Sequence, residues 1–285
     1  EVCVTDTSES QKFTNTMEYL AGTNPRNSDS DGDGLPDGWE FHWGLNPLAA
    51  DSNEDFDNDS LSNILEYDNR KIENSIFSYD KSLIKGYWKF DGTSSTSASN
   101  MIPNSDIAII LNGATRELAK FKKGVNCDGI DDAVRFDSIS DSNFNEYTVQ
   151  SWVKINNISN DFSTVVGTVE DGRTWLGINT EGFFEFKVYS GNKHYISPIT
   201  NDSVEAKIGV WYHLAATYSE TNEVLRLYVN GTLVSEESVD NPSIKTATSY
   251  NYFCRGQNGE YLNGTIDNIA IWNRAFTPNE ISYVF

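Results

Sequence analysis

From Lys85 onward, apolar side chains recur along the chain with a period of two. Leu225, Leu227 and Val229 alternate with Arg226 and Tyr228, after which Asn230-Gly231 leads into Thr232-Leu233-Val234-Ser235. Asn-Gly adopts the left-handed angles of a two-residue turn, so this stretch is expected to be a β-hairpin. The same alternation predicts strands over 86–90, 133–137, 147–155, 163–168, 175–179, 183–189, 211–218 and 266–272. Many short antiparallel strands at this spacing imply a β-sandwich. The first 80 residues read differently. They are rich in Asp, Asn, Ser and Pro, and only 62–70 has a helical pattern. The change of pattern near residues 75–85 divides the chain into 1–80 and 81–285.

Charge follows the same division. The 285 residues hold 42 acidic and 21 basic side chains, a formal net charge of -21. Residues 1–80 contain 18 acidic against 4 basic groups, so two thirds of the excess lies in little more than a quarter of the chain. Such a surface repels phosphates and anionic lipid heads, and the one basic cluster is Lys120, Lys122 and Lys123. Nucleic acid is therefore an unfavourable partner and a cation a favourable one. The longest apolar run, Ile107 to Leu111, is far shorter than the roughly 18 residues of a membrane span, so no membrane insertion is expected. The chain opens on Glu1 without a visible leader pattern, which suggests a piece of a larger polypeptide.

The acidic segment repeats a frame. Asp29, Asp31, Asp33, Asp37 and Glu40 occupy positions 1, 3, 5, 9 and 12 of one loop, with Gly34 at position 6. Asp55, Asp57, Asp59, Asn63 and Glu66 repeat it, with Ser60 in place of the glycine, and an Asn-Pro turn precedes each loop. A hard cation of calcium size takes six to eight oxygens at about 2.3 to 2.6 Å, supplied by alternate residues, a carbonyl at position 7 and a bidentate Glu at 12. The carbonyls would be those of Leu35 and Leu61. Without a metal, the clustered carboxylates repel one another by roughly 1 kcal/mol per close pair even in water. An acidic solvated linker is the alternative, but it does not explain two matched frames. A decayed third copy, around Glu9, Asn15 and Glu18, lacks the Asp triplet and is expected to hold no ion.

The phrasing from "GTNP" to "DSDGDGLPDGWE" resembles bacterial thrombospondin type 3-like calcium repeats, over residues 15–68. The resemblance implies a spacer stiffened by Ca2+, with Asp51 and Asn53 as candidates for shared ligands. Regular helices of an EF-hand pair are not expected here, because Pro36 lies inside the first loop.

In the larger part, "GYWKFDG", "NCDGIDDAVRF", "YTVQSWVKI", "GVWYHLAATY", "LRLYVNGTLV" and "GTIDNIAIWNRAFTPNEI" resemble a laminin G-like or concanavalin A-like jelly roll over nearly all of 85–285. That family implies glycan binding and one structural calcium, with Asp91 and Asn104 falling where its other oxygens tend to lie. Strict alternation would put Asp267 on the face of Ile269 and Ile271, where an inward carboxylate requires either a cation or hydrogen-bond donors.

The remaining reactive residues offer less. His42, His194 and His213 lack metal-ligand spacing, so zinc is not expected. Cys127 and Cys254 read as buried thiols in preference to a disulfide. The sandwich shows no paired-carboxylate phrase of a glycosidase, and Glu185 has no acidic partner at i+2 or i+4. Sugar recognition uses aromatic faces beside polar groups. Trp175, Tyr189, His194, Tyr195 and Tyr250 are the candidates. The sequence thus points to a secreted, non-catalytic module that binds calcium and, through its jelly roll, carbohydrate, with a structural or adhesive module that binds a surface protein as the alternative. A polysaccharide-degrading enzyme is the less favoured alternative.

Overall fold

The computed structural model describes residues 13, 15–43, 45–54, 62–64, 67, 83–102, 107–136, 146–158, 161–168, 174–190, 193–200, 203–239, 251–256 and 259–283. The chain divides into two compact units, Glu1–Ser78 and Tyr79–Phe285.

In the first unit, helices α1 (Asn15–Ala21) and α2 (Asp37–Trp43) flank the first acidic stretch. Each has seven residues, which makes them short helices and not the regular helices of an EF-hand pair. Pro36 precedes α2, where its fixed φ suits helix entry, and its carbonyl accepts N–H groups from Trp39 at 2.8 Å and Glu40 at 3.1 Å. Leu35, Trp39 and Leu45 form a small core against which Ile64 and Tyr67 pack. Trp39 meets the Tyr67 ring edge-on at 5.5 Å.

The second unit contains, in chain order, β1 (Ile84–Trp88), β2 (Ser97–Ala98), β3 (Ala108–Leu111), β4 (Thr115–Leu118), β5 (Lys123–Asp128), β6 (Ala133–Phe136), β7 (Glu146–Ile155) and β8 (Ser163–Thr168). Then follow β9 (Thr174–Ile178), β10 (Phe184–Ser190), β11 (Lys193–Ile196), β12 (Trp211–Ser219), β13 (Val224–Val229), β14 (Thr232–Ser238), β15 (Asn251–Phe253), β16 (Asn263–Trp272) and helix α3 (Pro278–Tyr283). One sheet has the order β14-β13-β12-β7-β16-β5-β4, with β1 also paired to β16; the other runs β11-β10-β9-β8-β15-β6-β3-β2. The result is a mainly β, antiparallel sandwich of concanavalin A-like jelly-roll type.

Alternation along the strands sends one set of side chains between the sheets. Val125, Val153, Leu214 and Ile266 from the first sheet join Val134, Phe136, Leu176 and Phe253 from the second in one buried cluster. Phe136 stacks on Phe253 at 4.3 Å, and Trp88 meets Phe253 edge-on at 5.2 Å. At the predicted hairpin, Asn230 and Gly231 take φ of 50° and 74°, the left-handed pair that a two-residue turn requires.

Cys127 and Cys254, expected as thiols, form a disulfide with a Cα–Cα distance of 6.4 Å. Both are fully buried, Cys127 on β5 and Cys254 just past β15 of the other sheet, and a sequence separation of 127 hides that pairing.

β16 is shared along one edge. Its first half pairs with β5 and its second half with β1, while β7 runs along the other edge. Its register with β7 shifts between Asp267 and Ala270, where Asn268 takes φ of 44°. This bulge breaks the alternation. Ile266 pairs with Val153 toward the interior, whereas Asp267 pairs with Trp152 on the outer face. The expected placement of Asp267 beside Ile269 and Ile271 is therefore corrected.

Candidate functional site

The first acidic loop closes through its own carboxylates. Asp29 accepts N–H groups from Gly32 at 2.7 Å and Gly34 at 3.1 Å, Asp31 accepts from Asp33 at 3.2 Å, and Asp33 accepts from Leu35 at 2.9 Å. Gly32 and Gly34 adopt φ of 80° and 99°, angles that side chains with a Cβ take at a cost. One oxygen each of Asp29, Asp31 and Asp33 lies within 4.8 Å of the others, and the same holds for Asp33, Glu40 and Asp51. Asp33 belongs to both trios. Its second oxygen accepts the Ser52 N–H at 2.8 Å, which ties the loop to the segment carrying Asp51.

Glu40 is the most constrained member. It is fully buried, and among the described residues neither carboxylate oxygen has a hydrogen-bond donor; Asp31 Oδ2 is also buried without one there. Burial, reinforced by Asp31, Asp33, Asp51 and Asp37, pushes the Glu40 carboxyl up to about 8. Asp31 and Asp51 are also raised, chiefly by burial. Buried acceptors without donors cost about 1 to 3 kcal/mol each, more when charged. A divalent cation relieves both the missing donors and the mutual repulsion. The donor set is oxygen only, which suits a hard cation of the calcium class and not a soft metal.

Other predicted ligands land elsewhere. Asp37 is 1% exposed and spends both oxygens on Ser30, accepting its N–H at 2.6 Å and its hydroxyl at 2.7 Å. Position 9 thus closes the loop instead of joining either trio. The Leu35 side chain anchors the small core. Asn53 is exposed. Asn63 is buried and donates from Nδ2 to the Asp51 carbonyl at 2.9 Å, joining the start of the second repeat to the first. Asp55, Asp57, Asp59, Leu61 and Glu66 lie outside the described residues.

In the sandwich, Asp267 has main-chain donors on both oxygens, from Phe121 N and Asn268 N, each at 2.8 Å. Burial holds its carboxyl well above the usual range. The donor alternative therefore accounts for Asp267, which pins the Phe121 turn over the β16 bulge. Asp91 accepts from Lys123 N at 3.2 Å and pairs with Lys89 at 3.5 Å. Asn104 lies outside the described residues. Sequence reasoning passed over a third acidic trio, Asp128, Asp131 and Asp132, at the β5–β6 turn. There Asp132 Oδ2 accepts Asp128 N at 2.9 Å and Asp128 Oδ1 accepts Ile130 N at 2.8 Å, which caps the turn.

Trp175 faces outward from the second sheet but is 7% exposed. Its indole donates to Thr164 Oγ1 at 2.7 Å, and the Phe162 ring meets it edge-on at 5.5 Å. The Lys187 ammonium lies 3.7 Å from the Phe162 centroid and 4.4 Å from that of Trp175. Lys187 also pairs with Glu185 at 2.8 Å, and Glu185 accepts from Asn179 Nδ2 at 3.0 Å. Tyr195 is packed in the interior cluster, so its expected role as a ligand contact is corrected: β11 alternation turns it inward and Ile196 outward. Tyr189 and His194 are cross-strand partners on β10 and β11. Tyr250 lies outside the described residues.

Comparison with known proteins adds a family and a set of folds. Residues 128–282 match a laminin G-type model of the Concanavalin A-like lectin/glucanases superfamily. A stretch of 83 residues is 36% identical to human Adhesion G-protein coupled receptor D1, covering 26% of this chain and 9% of that receptor. The chain therefore spans less than a tenth of that relative. Domain 4 of AbnA, an extracellular arabinanase from Geobacillus stearothermophilus solved with arabinotriose, superposes with a TM-score of 0.58 at 19% identity, over 71% of this chain and 98% of that one. The binding domain of Paraclostridial Mosquitocidal Protein 1 does so with 0.58 at 15% identity, over 71% and 51%. Trypanosoma rangeli sialidase follows with 0.55 at 14% identity, over 78% and 38%.

Proposed function

The chain belongs to the concanavalin A-like lectin/glucanases superfamily, and on that footing we propose that it is a non-catalytic extracellular module that binds carbohydrate through its sandwich and calcium through its amino-terminal loops. The calcium reading is carried by Glu40, a fully buried carboxylate without a donor among the described residues, set beside Asp33 and Asp51. Asp29, Asp31, Asp33, Glu40 and Asp51 would hold the ions, with the Leu35 carbonyl as the loop's position 7. Bound calcium would supply countercharge and cross-link the loop to the Asp51 segment. A unit of this size has a small core, and small units commonly need a metal or a disulfide to stay folded. The second loop, from Asp55 to Glu66, completes the reading as thrombospondin type 3-like repeats.

Carbohydrate binding is supported by the arabinotriose-bound domain that this sandwich overlays along nearly its full length. A non-catalytic role is supported by Glu185, which is engaged by Lys187 and Asn179 instead of facing a second carboxylate. Extracellular placement fits the Cys127–Cys254 disulfide, which persists in oxidising compartments. It also fits modest-affinity loops that fill at about millimolar calcium. A second reading, an adhesive module that binds a surface protein, is favoured by the stretch shared with the adhesion receptor.

The test is a polysaccharide pull-down and glycan array in millimolar calcium and in chelator, with calorimetry of calcium binding. Retention of at least one glycan and measurable calcium heat are expected. Silence across a broad panel, with capture of a defined surface protein, would favour the adhesive reading. Release of reducing sugar from any polymer would contradict the non-catalytic assignment.

A further inference from the structure

We propose that the sandwich carries a calcium site of its own at its rim, where Asp128, Asp131 and Asp132 gather on the β5–β6 turn. Neither the amino-terminal loops nor carbohydrate binding is needed for it.

At this rim the chain crosses twice between the sheets. β5 belongs to the first sheet and β6 to the second, while β3 and β4 make the crossing in the opposite sense. One carboxylate oxygen of each aspartate lies within 4.8 Å of the others. No ion pair neutralises any of the three among the described residues. Crowded acidic groups are unremarkable when they can swing into water, but Asp132 is 4% exposed and held. Its Oδ2 accepts the Asp128 N–H at 2.9 Å, and its Oδ1 is buried with no hydrogen-bond partner among the described residues. Oδ1 lies beside the β3–β4 turn, where a Cβ on Gly113 would stand 3.3 Å from it. Capping the turn does not account for this oxygen, because an Asn at 132 would accept the same N–H without burying a charge. A buried acceptor with no donor is destabilising, more so when charged. Burial first, and then the charges of Asp128 and Asp131, hold the Asp132 carboxyl above its usual range against the pull of the Asp128 N–H. A divalent cation among the three supplies the missing partner and offsets the repulsion.

The turn is held in shape by its surroundings. Asn112 Nδ2 donates to the Asp131 carbonyl at 2.8 Å, Asn263 Nδ2 donates to the Asp128 carbonyl at 2.7 Å, and the Cys127 disulfide fixes the residue before Asp128. Little freedom is therefore left to lose when an ion binds. The side-chain donors are hard oxygens, and Asp128 and Asp131 are exposed, so water completes the shell. Calcium accepts an irregular shell of six to eight oxygens, whereas magnesium demands a near-ideal octahedron. Three carboxylates place the affinity in the range of about 0.1 to 1 mM found in extracellular modules. Asp267 does not contribute, since main-chain donors take both its oxygens.

The test titrates the full chain, labelled with 15N and stripped by chelator, with calcium chloride and separately with magnesium chloride. The amide signals of Gly113 and Gly129 report the two turns. Both should shift saturably with a Kd of about 0.1 to 1 mM for calcium, and magnesium should act at least about tenfold more weakly. Asp131→Asn should weaken the calcium response roughly tenfold or more. Its melting in chelator should match the parent, because the Asp131 carboxylate makes no capping bond among the described residues. Asp132→Asn should weaken the response as much while its amide carbonyl keeps the cap; if it does not fold, Asp131→Asn decides. Glu236→Gln, an exposed acid paired with Arg226 on the β13–β14 hairpin, should leave the response unchanged. Shifts at Gly32 and Gly34 without shifts at Gly113 and Gly129, up to about 10 mM calcium, would overturn this inference and leave the amino-terminal loops standing. Shifts at the rim alone would uphold it and remove the amino-terminal reading. An equal response to magnesium, or indifference to both Asp131→Asn and Asp132→Asn, would reduce the trio to bare charge attraction and overturn the site.

Discussion

Glu40 is buried beside Asp31, Asp33 and Asp51 with no donor to either oxygen among the described residues, so neutralising it has opposite effects on two states of the protein. Glu40→Gln spares the calcium-free unit the cost of protonating a buried carboxylate and removes a charged ligand from the loaded one. Calorimetry should show calcium affinity lowered by at least about tenfold, as expected for loss of a ligand. Melting in chelator should show the same variant more stable than the parent. His213 presents the reverse problem, a base in an apolar strand. It is 1% exposed, its ring is 5.3 Å from that of Trp152, and burial lowers its pKa to about 3. As pH falls below 6.5 the unfolded chain takes up a proton that the folded chain refuses. This group therefore costs about 1.4 kcal/mol of stability per pH unit between roughly 6 and 3, and its contribution is complete above 6.5. Denaturant unfolding across that window should show His213→Phe losing that part of the slope while other groups keep theirs.

β16 shows what an element adds to its residues. Ten residues of β16 must serve β7 on one edge and hand the other from β5 to β1, and the bulge at Asp267–Asn268 makes the transfer. Asp267 then binds the Phe121 and Asn268 N–H groups. Asp267→Ala leaves these donors buried and unpaired, so urea unfolding should show a loss of about 2 to 4 kcal/mol. Calcium stoichiometry should not change; a drop of one ion would show that Asp267 ligates metal after all. The same element marks the limit of legibility in the sequence. Period-two alternation located β7, β8, β12 and β13 closely, because long strands with one face buried have little freedom of register. It failed at Asp267, because one extra residue reverses every later side chain. It failed at Tyr195, where a four-residue strand carries too little pattern to show which face is inside. The clustering of Asp29, Asp31, Asp33 and Glu40 was legible because their regular spacing folds them around one tight turn. The turn of Asp37 toward Ser30 was not, since a carboxylate at position 9 satisfies either a metal or a backbone.

At the scale of the whole molecule, two units are held by different means. Among the described residues, the amino-terminal one has a three-residue core and a cluster of mutually repelling carboxylates, whereas the sandwich has a large continuous interior and a cross-sheet disulfide. Their unfolding should therefore respond to different reagents. Scanning calorimetry should resolve two transitions, and calcium should raise chiefly the lower one, by RT ln(1 + [L]/Kd) in free energy. A Cys127→Ala, Cys254→Ala double variant should lower only the upper one. Closing a long loop is worth about 2 to 5 kcal/mol, in large part by restricting the unfolded chain. A single transition that both treatments shift together would mean that the units fold as one cooperative body. The calcium loops would then be an integral part of the recognition domain, and removing the metal should abolish saccharide binding along with the amino-terminal structure. Two separable transitions would instead leave binding by the sandwich intact in chelator, with the acidic repeats acting as a spacer whose stiffness calcium controls.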